Sequence, residues 1–210
     1  MVKIVLLGPP ACGKGTQAKM IAKEIQIPHI SSGDLFRGAA EEGTELGIKA
    51  RDEFWSKGQL VPDEITIGLV KERLEKNDCK EGFILDGFPR TIPQAEALSN
   101  VVNLDYVIEI TSPDDVIIKR VVARRSCPQC GKIYGLDVPP KNDNVCDECN
   151  VELNHRSDDN EETMQQRLDV YHKQTSPLIE FYKEKNLLVT VDGTQKIDKV
   201  FEDILSILKK

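Results

Sequence analysis

One heptapeptide constrains this chain more than any other feature: Gly8-Pro9-Pro10-Ala11-Cys12-Gly13-Lys14, set between an apolar run at residues 2–7 and a helical pattern at residues 16–25. A glycine-bearing turn that joins a buried strand to a helix can close its backbone around phosphate. Its N–H groups point inward, the helix N-terminus adds positive potential, and Lys14 supplies a full charge. The strict form of such a loop carries Ser or Thr directly after the lysine, whereas here Gly15 intervenes and Thr16 brings the hydroxyl. A chance glycine-lysine turn is the bland alternative, and the flanking strand and helix weigh against it.

The run at 2–7 is nearly continuous and rich in β-branched residues, which reads as a strand buried on both faces. Similar short runs at 83–85, 106–110 and 187–191 alternate with helical patterns at 64–76, 113–125 and 161–185. That alternation predicts an α/β fold with a central parallel sheet flanked by helices. Two segments interrupt it. Residues 31–60 read as a small helical insertion that runs from a Ser-Ser-Gly-Asp turn to the breaker Gly58. Residues 127–160 are rich in Cys, Pro, Asn and Asp and read as a loop-rich module, after which Asp158 with Glu161 is expected to cap the next helix. At 210 residues, one domain of ordinary size with small inserted modules accommodates the whole chain.

Charge narrows the function. With 28 Lys and Arg against 35 Asp and Glu, the net charge is −7, unlike a general duplex-DNA binder that displaces counterions with a basic face. No apolar run approaches the roughly 20 residues that span a bilayer, and the N-terminal run stops at Gly-Pro-Pro without a cleavable signal pattern. A soluble, intracellular protein is expected.

Four of the six cysteines form two Cys-x-x-Cys pairs, Cys127 with Cys130 and Cys146 with Cys149, separated by fifteen residues. That spacing suits a tetrahedral four-thiolate site of the zinc-ribbon kind, with iron as another possible occupant and disulfides as the bland alternative. Four thiolates leave no open ligand position, so the metal would be structural. The module carries Asp137, Asp143, Asp147 and Glu148 against Lys132 and Lys141, so it has no basic face for nucleic acid. Arg120 and Arg124, spaced i, i+4, share one helix face, in isolation more often a solvated face than a site. Asp86 ends the strand at 83–85, where its carboxylate could hold water on Mg²⁺ or simply terminate a turn.

The run GPPACGKGTQA resembles the adenylate kinases, and the likeness extends end to end. It continues through Ser31-Ser32-Gly33-Asp34-Leu35-Phe36-Arg37, Asp86-Gly87-Phe88-Pro89-Arg90 with Gln94, Asp158-Asp159-Asn160-Glu161-Glu162-Thr163 and Val191-Asp192-Gly193-Thr194. The cysteine-bearing segment resembles the long-lid bacterial form with a structural metal. The resemblance implies a P-loop kinase core at 1–30, 61–126 and 161–210, an AMP-binding insertion at 31–60 and a zinc-binding lid at 127–160. It implies Mg²⁺-dependent phosphoryl transfer from ATP to AMP giving two ADP, in a cytoplasmic monomer without nucleic-acid or membrane partners.

Carried over residue by residue, the resemblance sets Lys14, Arg124, Arg156 and Arg167 around the transferred phosphoryl group, with Arg37 and Arg90 on the phosphate of the monophosphate substrate. Gly8, Ala11, Cys12, Gly13, Gly15, Thr16, Arg120, Ile133, Tyr134 and Gln195 would meet ATP, with Tyr134 over its base. Ser32, Gln59, Leu60, Val61, Gly87, Phe88, Pro89 and Gln94 would meet AMP, together with Arg156 and Arg167. Ser32 favours AMP because pyrimidine-specific relatives tend to carry alanine there; a UMP or CMP kinase is the second reading, and a nucleic-acid-linked P-loop ATPase is a reading from another class. Two departures carry expectations. Ala11 stands where the family usually has glycine, so a positive φ there would store about 1 kcal/mol or more. Trp55 stands where methionine is frequent, and its ring would narrow the monophosphate pocket.

Overall fold

The computed structural model describes residues 2–156 and 158–209; Met1, Ser157 and Lys210, which fall within the expected segments, lie outside the described residues. In chain order the strands are β1 (Val2–Leu7), β2 (His29–Ser31), β3 (Gly82–Asp86), β4 (Tyr106–Thr111), β5 (Arg125–Ser126), β6 (Ile133–Tyr134) and β7 (Leu188–Asp192). The helices are α1 (Lys14–Ile25), α2 (Ser32–Glu41), α3 (Glu45–Lys49), α4 (Asp63–Leu74), α5 (Ile92–Ser99), α6 (Asp114–Ala123), α7 (Glu161–Val170), α8 (Pro177–Glu184) and α9 (Ile197–Leu208).

Five strands make one sheet in the order β2-β3-β1-β4-β7, and every neighbouring pair is parallel. Successive side chains of a strand point to opposite faces, and β1 is apolar at both parities, so each of its faces needs cover. Val5 and Leu7 pack with Val70, Leu98, Leu178 and Tyr182 on one face. Ile4 and Leu6 pack with Ala18, Ile21, Val200 and Ile204 on the other. Each such side chain, fully buried, contributes roughly 1.5–3 kcal/mol. The register aligns the carboxyl ends of the strands: Leu6 lies opposite Asp86, Leu7 opposite Glu109, and Thr111 opposite Asp192. The loops leaving β1, β3 and β7 therefore open onto one edge, where open α/β sheets bind their ligands.

The expected strands and helices are present, with β2, β5, β6, α5 and α9 in addition. The helix expected over 161–185 is interrupted: α7 passes into a π-helical turn at Tyr171–Thr175 before α8 begins. Pro177 causes this, because its ring would clash with the carbonyl four residues back in a regular helix. The widened turn is closed by the Ser176 N–H donating to the Tyr171 carbonyl oxygen, 2.8 Å. The cap also differs from expectation. Asn160, not Asp158, caps α7, its side chain accepting from the Thr163 N–H at 2.9 Å.

Residues 32–57 contain α2, α3, a π-helical turn at Ala50–Phe54 and a 3₁₀ turn at Trp55–Lys57, ending at Gly58 with φ 69°. Among the described residues of the cysteine-bearing segment, β6 pairs antiparallel with β5 just before it, and the other β contacts are isolated bridges such as that of Ser126 with Asn154. Among the described residues, no helix is long and apolar enough to cross a membrane.

Candidate active site

The phosphate loop takes a shape that glycine makes possible. Gly8 has φ 138°, and a Cβ there would sit 2.3 Å from the Ile110 carbonyl oxygen, so no larger residue fits against β4. Ala11 has φ 58°, the left-handed conformation whose cost the sequence anticipates. Lys14, the first residue of α1, folds back over the loop, and its Nζ donates to the carbonyl oxygens of Gly8 (2.8 Å) and Pro9 (2.6 Å). The ammonium group is thus held at the mouth of the loop. The buried Cys12 Sγ lies 3.6 Å from the same Nζ.

Asp86, at the end of β3, stands across from this loop; a Cβ at Gly15 would be 3.3 Å from its Oδ2. Burial opposes ionisation of its carboxyl, but His29, Lys14 and Arg90 outweigh that and hold it below the ordinary carboxylate range. The carboxylate is therefore charged at neutral pH, as a group that orients water around Mg²⁺ must be. His29 Nε2 approaches Asp86 Oδ2 at 3.5 Å.

Five arginines converge on the same cavity from separate elements. Arg90 is fixed from three sides: its Nε donates to the Gly87 carbonyl oxygen (2.8 Å), its backbone N–H donates to Gln94 Oε1 (2.8 Å), and its own carbonyl oxygen accepts from Thr175 Oγ1 (2.9 Å). Gln94 is anchored in turn by donating to Asp63 Oδ1 at 2.7 Å, and Ser32 Oγ donates to the Gly87 carbonyl oxygen at 2.7 Å. Arg37 pairs with Asp34 at 2.6 Å. Arg124 is gripped by both carboxylate oxygens of the buried Asp159, and Arg167 Nη1 pairs with Asp158 Oδ2 at 2.8 Å. The Asp158-Asp159 pair thus supplies counterions to two arginines, a role that helix-capping logic misses.

Crowding of like charge is written into their titration. Burial, then repulsion by Arg37 and Arg124, lowers Arg156 to about 10. Burial also lowers Arg167 to about 10, with Asp158 opposing the shift and Arg124 and Arg90 adding to it. For Arg124 burial pulls down but Asp159 prevails, and the net shift is upward. Arg124, Arg156 and Arg167 remain charged at neutral pH. Such a concentration of cations, only partly neutralised by Asp34, Asp158 and Asp159, is matched by a ligand bearing several phosphate oxygens.

One cavity of ≈ 1240 Å³ joins the phosphate loop to these arginines. Every nucleotide-site residue expected from the sequence lines it except Phe88. Phe88 is 2% exposed and packs in the core with Leu85, Ala95 and Leu98, so its ring does not face the cavity. Tyr134 lines the cavity but is itself buried among the cysteines, and Arg120 reaches across to the Gly193 carbonyl oxygen (2.9 Å) and Asp137 (3.0 Å). Trp55 stands against Phe36 with ring centroids 6.5 Å apart on the wall that also carries Gln59 and Val61. Lys19 was not anticipated: its Nζ donates to the Gly131 carbonyl oxygen at 2.7 Å, tying α1 to the cysteine-bearing segment. Only the folded geometry brings those two residues together.

The four cysteines form two matching turns. The Cys130 and Cys149 N–H groups donate to the sulfurs of Cys127 and Cys146, each at 3.4 Å, and left-handed Gly131 and Asn150 follow. The four sulfurs lie within 4.8 Å of one another, and Cys130 Sγ is 3.8 Å from Cys146 Sγ. A tetrahedron with Zn–S bonds of about 2.3 Å has edges of about 3.8 Å, so the set fits a four-thiolate zinc site. All six cysteines are free thiols, which excludes the disulfide alternative in this structure.

A parallel sheet with a phosphate loop after its first strand, a helical segment bearing Arg37 and arginines converging on the cavity between them fits a P-loop nucleoside monophosphate kinase, the class to which the chain belongs. The family model for adenylate kinase matches residues 6–187. Adenylate kinase from Clostridium perfringens (strain 13 / Type A) is 54% identical over 99% of this chain and 97% of its own. Those from Geobacillus sp. (strain WCH70) and Archaeoglobus fulgidus are 52% and 50% identical, over 99% and 100% of this chain and 98% and 99% of theirs. The chain belongs to the adenylate kinase family.

Proposed function

We propose that this protein catalyses Mg·ATP + AMP ⇌ 2 ADP and so helps to balance the adenine nucleotides. The observation that carries the reading is the meeting of Lys14 with Arg37, Arg90, Arg124, Arg156 and Arg167 in one cavity. In the forward direction an oxygen of the AMP phosphate bonds to the γ-phosphorus of ATP. The bond from that phosphorus to the β–γ bridging oxygen breaks, and its electron pair leaves with the ADP product. The attacking oxygen is already deprotonated, so no general base is needed and positioning carries the catalysis. Lys14 and the loop N–H groups hold the β- and γ-phosphates, and Arg124, Arg156 and Arg167 meet the charge spread over the transferred group. Arg90 and Arg37 orient the monophosphate, with Ser32, Gln59, Leu60, Val61, Gly87, Pro89 and Gln94 around its nucleoside. Magnesium bound with ATP would neutralise phosphate charge, and Asp86 would orient its water.

In this reading 31–60 is the AMP-binding insertion, 127–160 the lid, and the cysteines Cys127, Cys130, Cys146 and Cys149 hold structural Zn²⁺. Closure of such a lid keeps the phosphoryl donor away from water; adenylate kinase is itself a standard example of this behaviour. The same reading makes the protein a cytoplasmic monomer, in a reducing compartment that keeps its cysteines available as metal ligands. The test is a coupled assay of phosphoryl acceptance by AMP, CMP, UMP and GMP. The expected result is AMP-dependent ADP formation with weak turnover of the others; equal or better use of UMP or CMP would replace this reading with the pyrimidine one.

A further inference from the structure

Tyr134 belongs at once to the cavity wall and to the interior of the cysteine cluster. It is 1% exposed and packs with Cys127, Cys146 and Leu153, yet it also lines the nucleotide cavity. Its hydroxyl has two neighbours. The Asp147 N–H donates to it at 2.9 Å, and Cys146 Sγ lies 3.4 Å away. A backbone N–H can only donate, so it uses a lone pair of the hydroxyl and leaves the O–H proton to be directed elsewhere. A metal-bound Cys146 is a thiolate with no proton to give, which fixes the sense of the second bond: Tyr134 donates to sulfur.

The remaining contacts hold the ring where that donation is made. Lys132 Nζ lies 5.3 Å from the ring centroid and pairs with Glu148 at 3.0 Å. The backbone of Tyr134 pairs with Arg125, the residue after Arg124. A displacement of Cys146 would therefore be felt at the cavity wall and at the strand that follows a phosphoryl-contacting arginine.

We infer that Tyr134 is a positioning residue for the thiolate site, its hydroxyl orienting Cys146 and its ring linking the metal to the triphosphate side of the cavity. The donor to the sulfur needs no particular nucleotide; only the link to the cavity rests on the function proposed above. Groups that orient a metal ligand in this way typically change metal affinity 10- to 100-fold when removed, about the effect expected here.

The variant is Tyr134→Phe in the full chain, which keeps the ring and removes the donor. Zinc affinity is read by competition with a chromophoric chelator, and ligand geometry by the thiolate-to-metal absorption of the Co²⁺-loaded protein. The α/β core reports folding separately through far-UV circular dichroism. The expected result is a roughly 10- to 100-fold weaker hold on zinc with a shifted Co²⁺ band and an unchanged core melt. An unchanged affinity and band would overturn the proposal, whatever the enzyme's activity. Zinc loss is then timed with a non-hydrolysable ATP analogue. Slower loss from the unmodified protein, with a smaller difference in the variant, supports the link to the cavity. Equal slowing in both would confine Tyr134 to the metal alone. A variant whose core also unfolds would assign Tyr134 to packing and overturn the positioning role.

Discussion

Arg124 rests on Asp159, a carboxylate fully shielded from water: Nε donates to Oδ2 at 2.7 Å and Nη2 bonds Oδ1. Two parallel charge-assisted bonds fix the plane of the guanidinium as well as its place. Removal of one member of a buried pair leaves the other charge unmatched, at a cost of roughly 3–5 kcal/mol. Asp159→Ala should therefore lower stability by about 3 kcal/mol, the low end, because Arg124 can turn toward the cavity. Urea unfolding of Asp159→Ala, Arg124→Ala and the double variant measures the coupling; strict additivity would show that the pair does not act as a unit.

Lys14 is held at the loop mouth by two carbonyl oxygens that a bound phosphate can replace as its partners. Lys14→Met keeps the length of the side chain and removes the charge. Turnover should fall by at least about 10³-fold while the thermal transition stays within a few degrees. Near-normal turnover with ATP bound would contradict the assignment of this loop to the triphosphate.

Ala11 tests the backbone strain directly, since φ is 58° and its methyl packs against Ile117, Val121, Met164 and Leu168. Ala11→Gly relieves about 1 kcal/mol of left-handed strain, but loses about 0.8 kcal/mol of methyl burial and adds chain entropy to the unfolded state. The terms nearly cancel, and stability should change by less than about 1 kcal/mol. Ala11→Val, β-branched at the same φ, should lose about 2 kcal/mol or more. Denaturant midpoints compare the two, and equal losses would mean that packing, not backbone conformation, governs the position.

How far the sequence could be read depended on the range of the interaction. The phosphate loop is legible because much of its geometry is local: Gly13 adopts φ 107° with nothing within 4 Å of where a Cβ would stand, so no distant residue is needed to see why glycine stands there. The cysteine cluster was legible for the same reason, since each Cys-x-x-Cys turn nearly builds half the site. The core packing of the Phe88 ring is not legible, because a motif of polar function, Asp86 to Arg90, contains one side chain that serves the core. The cap expected of Asp158 and the absence of any role for Asp159 share one reason: their arginine partners lie 9 and 35 residues away, beyond any local rule. The π-helical turn before Pro177 was hidden by a helical pattern that continues through it, although it sets Thr175 against the Arg90 carbonyl oxygen.

Trp55 is the sole tryptophan of the chain and stands on the wall proposed for the monophosphate base. Its emission should therefore respond to AMP. Titration with AMP is expected to quench or shift the fluorescence with saturation, because a base against the indole changes both its polarity and its stacking. Trp55→Met should abolish the signal and leave the phosphate clamp of Arg90 and Arg37 intact. A response to ATP alone and none to AMP would reverse the two halves of the cavity.

The cysteine-bearing segment carries the last prediction. Its apolar cluster amounts to Cys127, Tyr134, Cys146 and Leu153, with Cys149 and Val151 beside it, too little buried surface to hold a fold of its own. Its order must come from the metal, while the charges that act on phosphate come from Lys14 and the arginines. Replacement of Cys127 and Cys130 with serine should therefore lower the melting temperature and open residues 127–160 to protease. Turnover well below the transition should fall only in part, because Lys14, Arg37 and Arg90 are held by groups outside the segment. Lys14 Nζ donates to the Gly8 and Pro9 carbonyl oxygens, Arg37 pairs with Asp34 and Arg90 Nε donates to the Gly87 carbonyl oxygen, whereas the ties of Arg124 to Asp159 and Arg167 to Asp158 run into the segment and account for the part that is lost. Limited proteolysis and initial rates on the same preparation check both halves. Complete loss of activity in a protein whose cysteine-bearing segment still resists protease would require a metal that acts on the substrate, and a closed set of four thiolates has no position from which to do so.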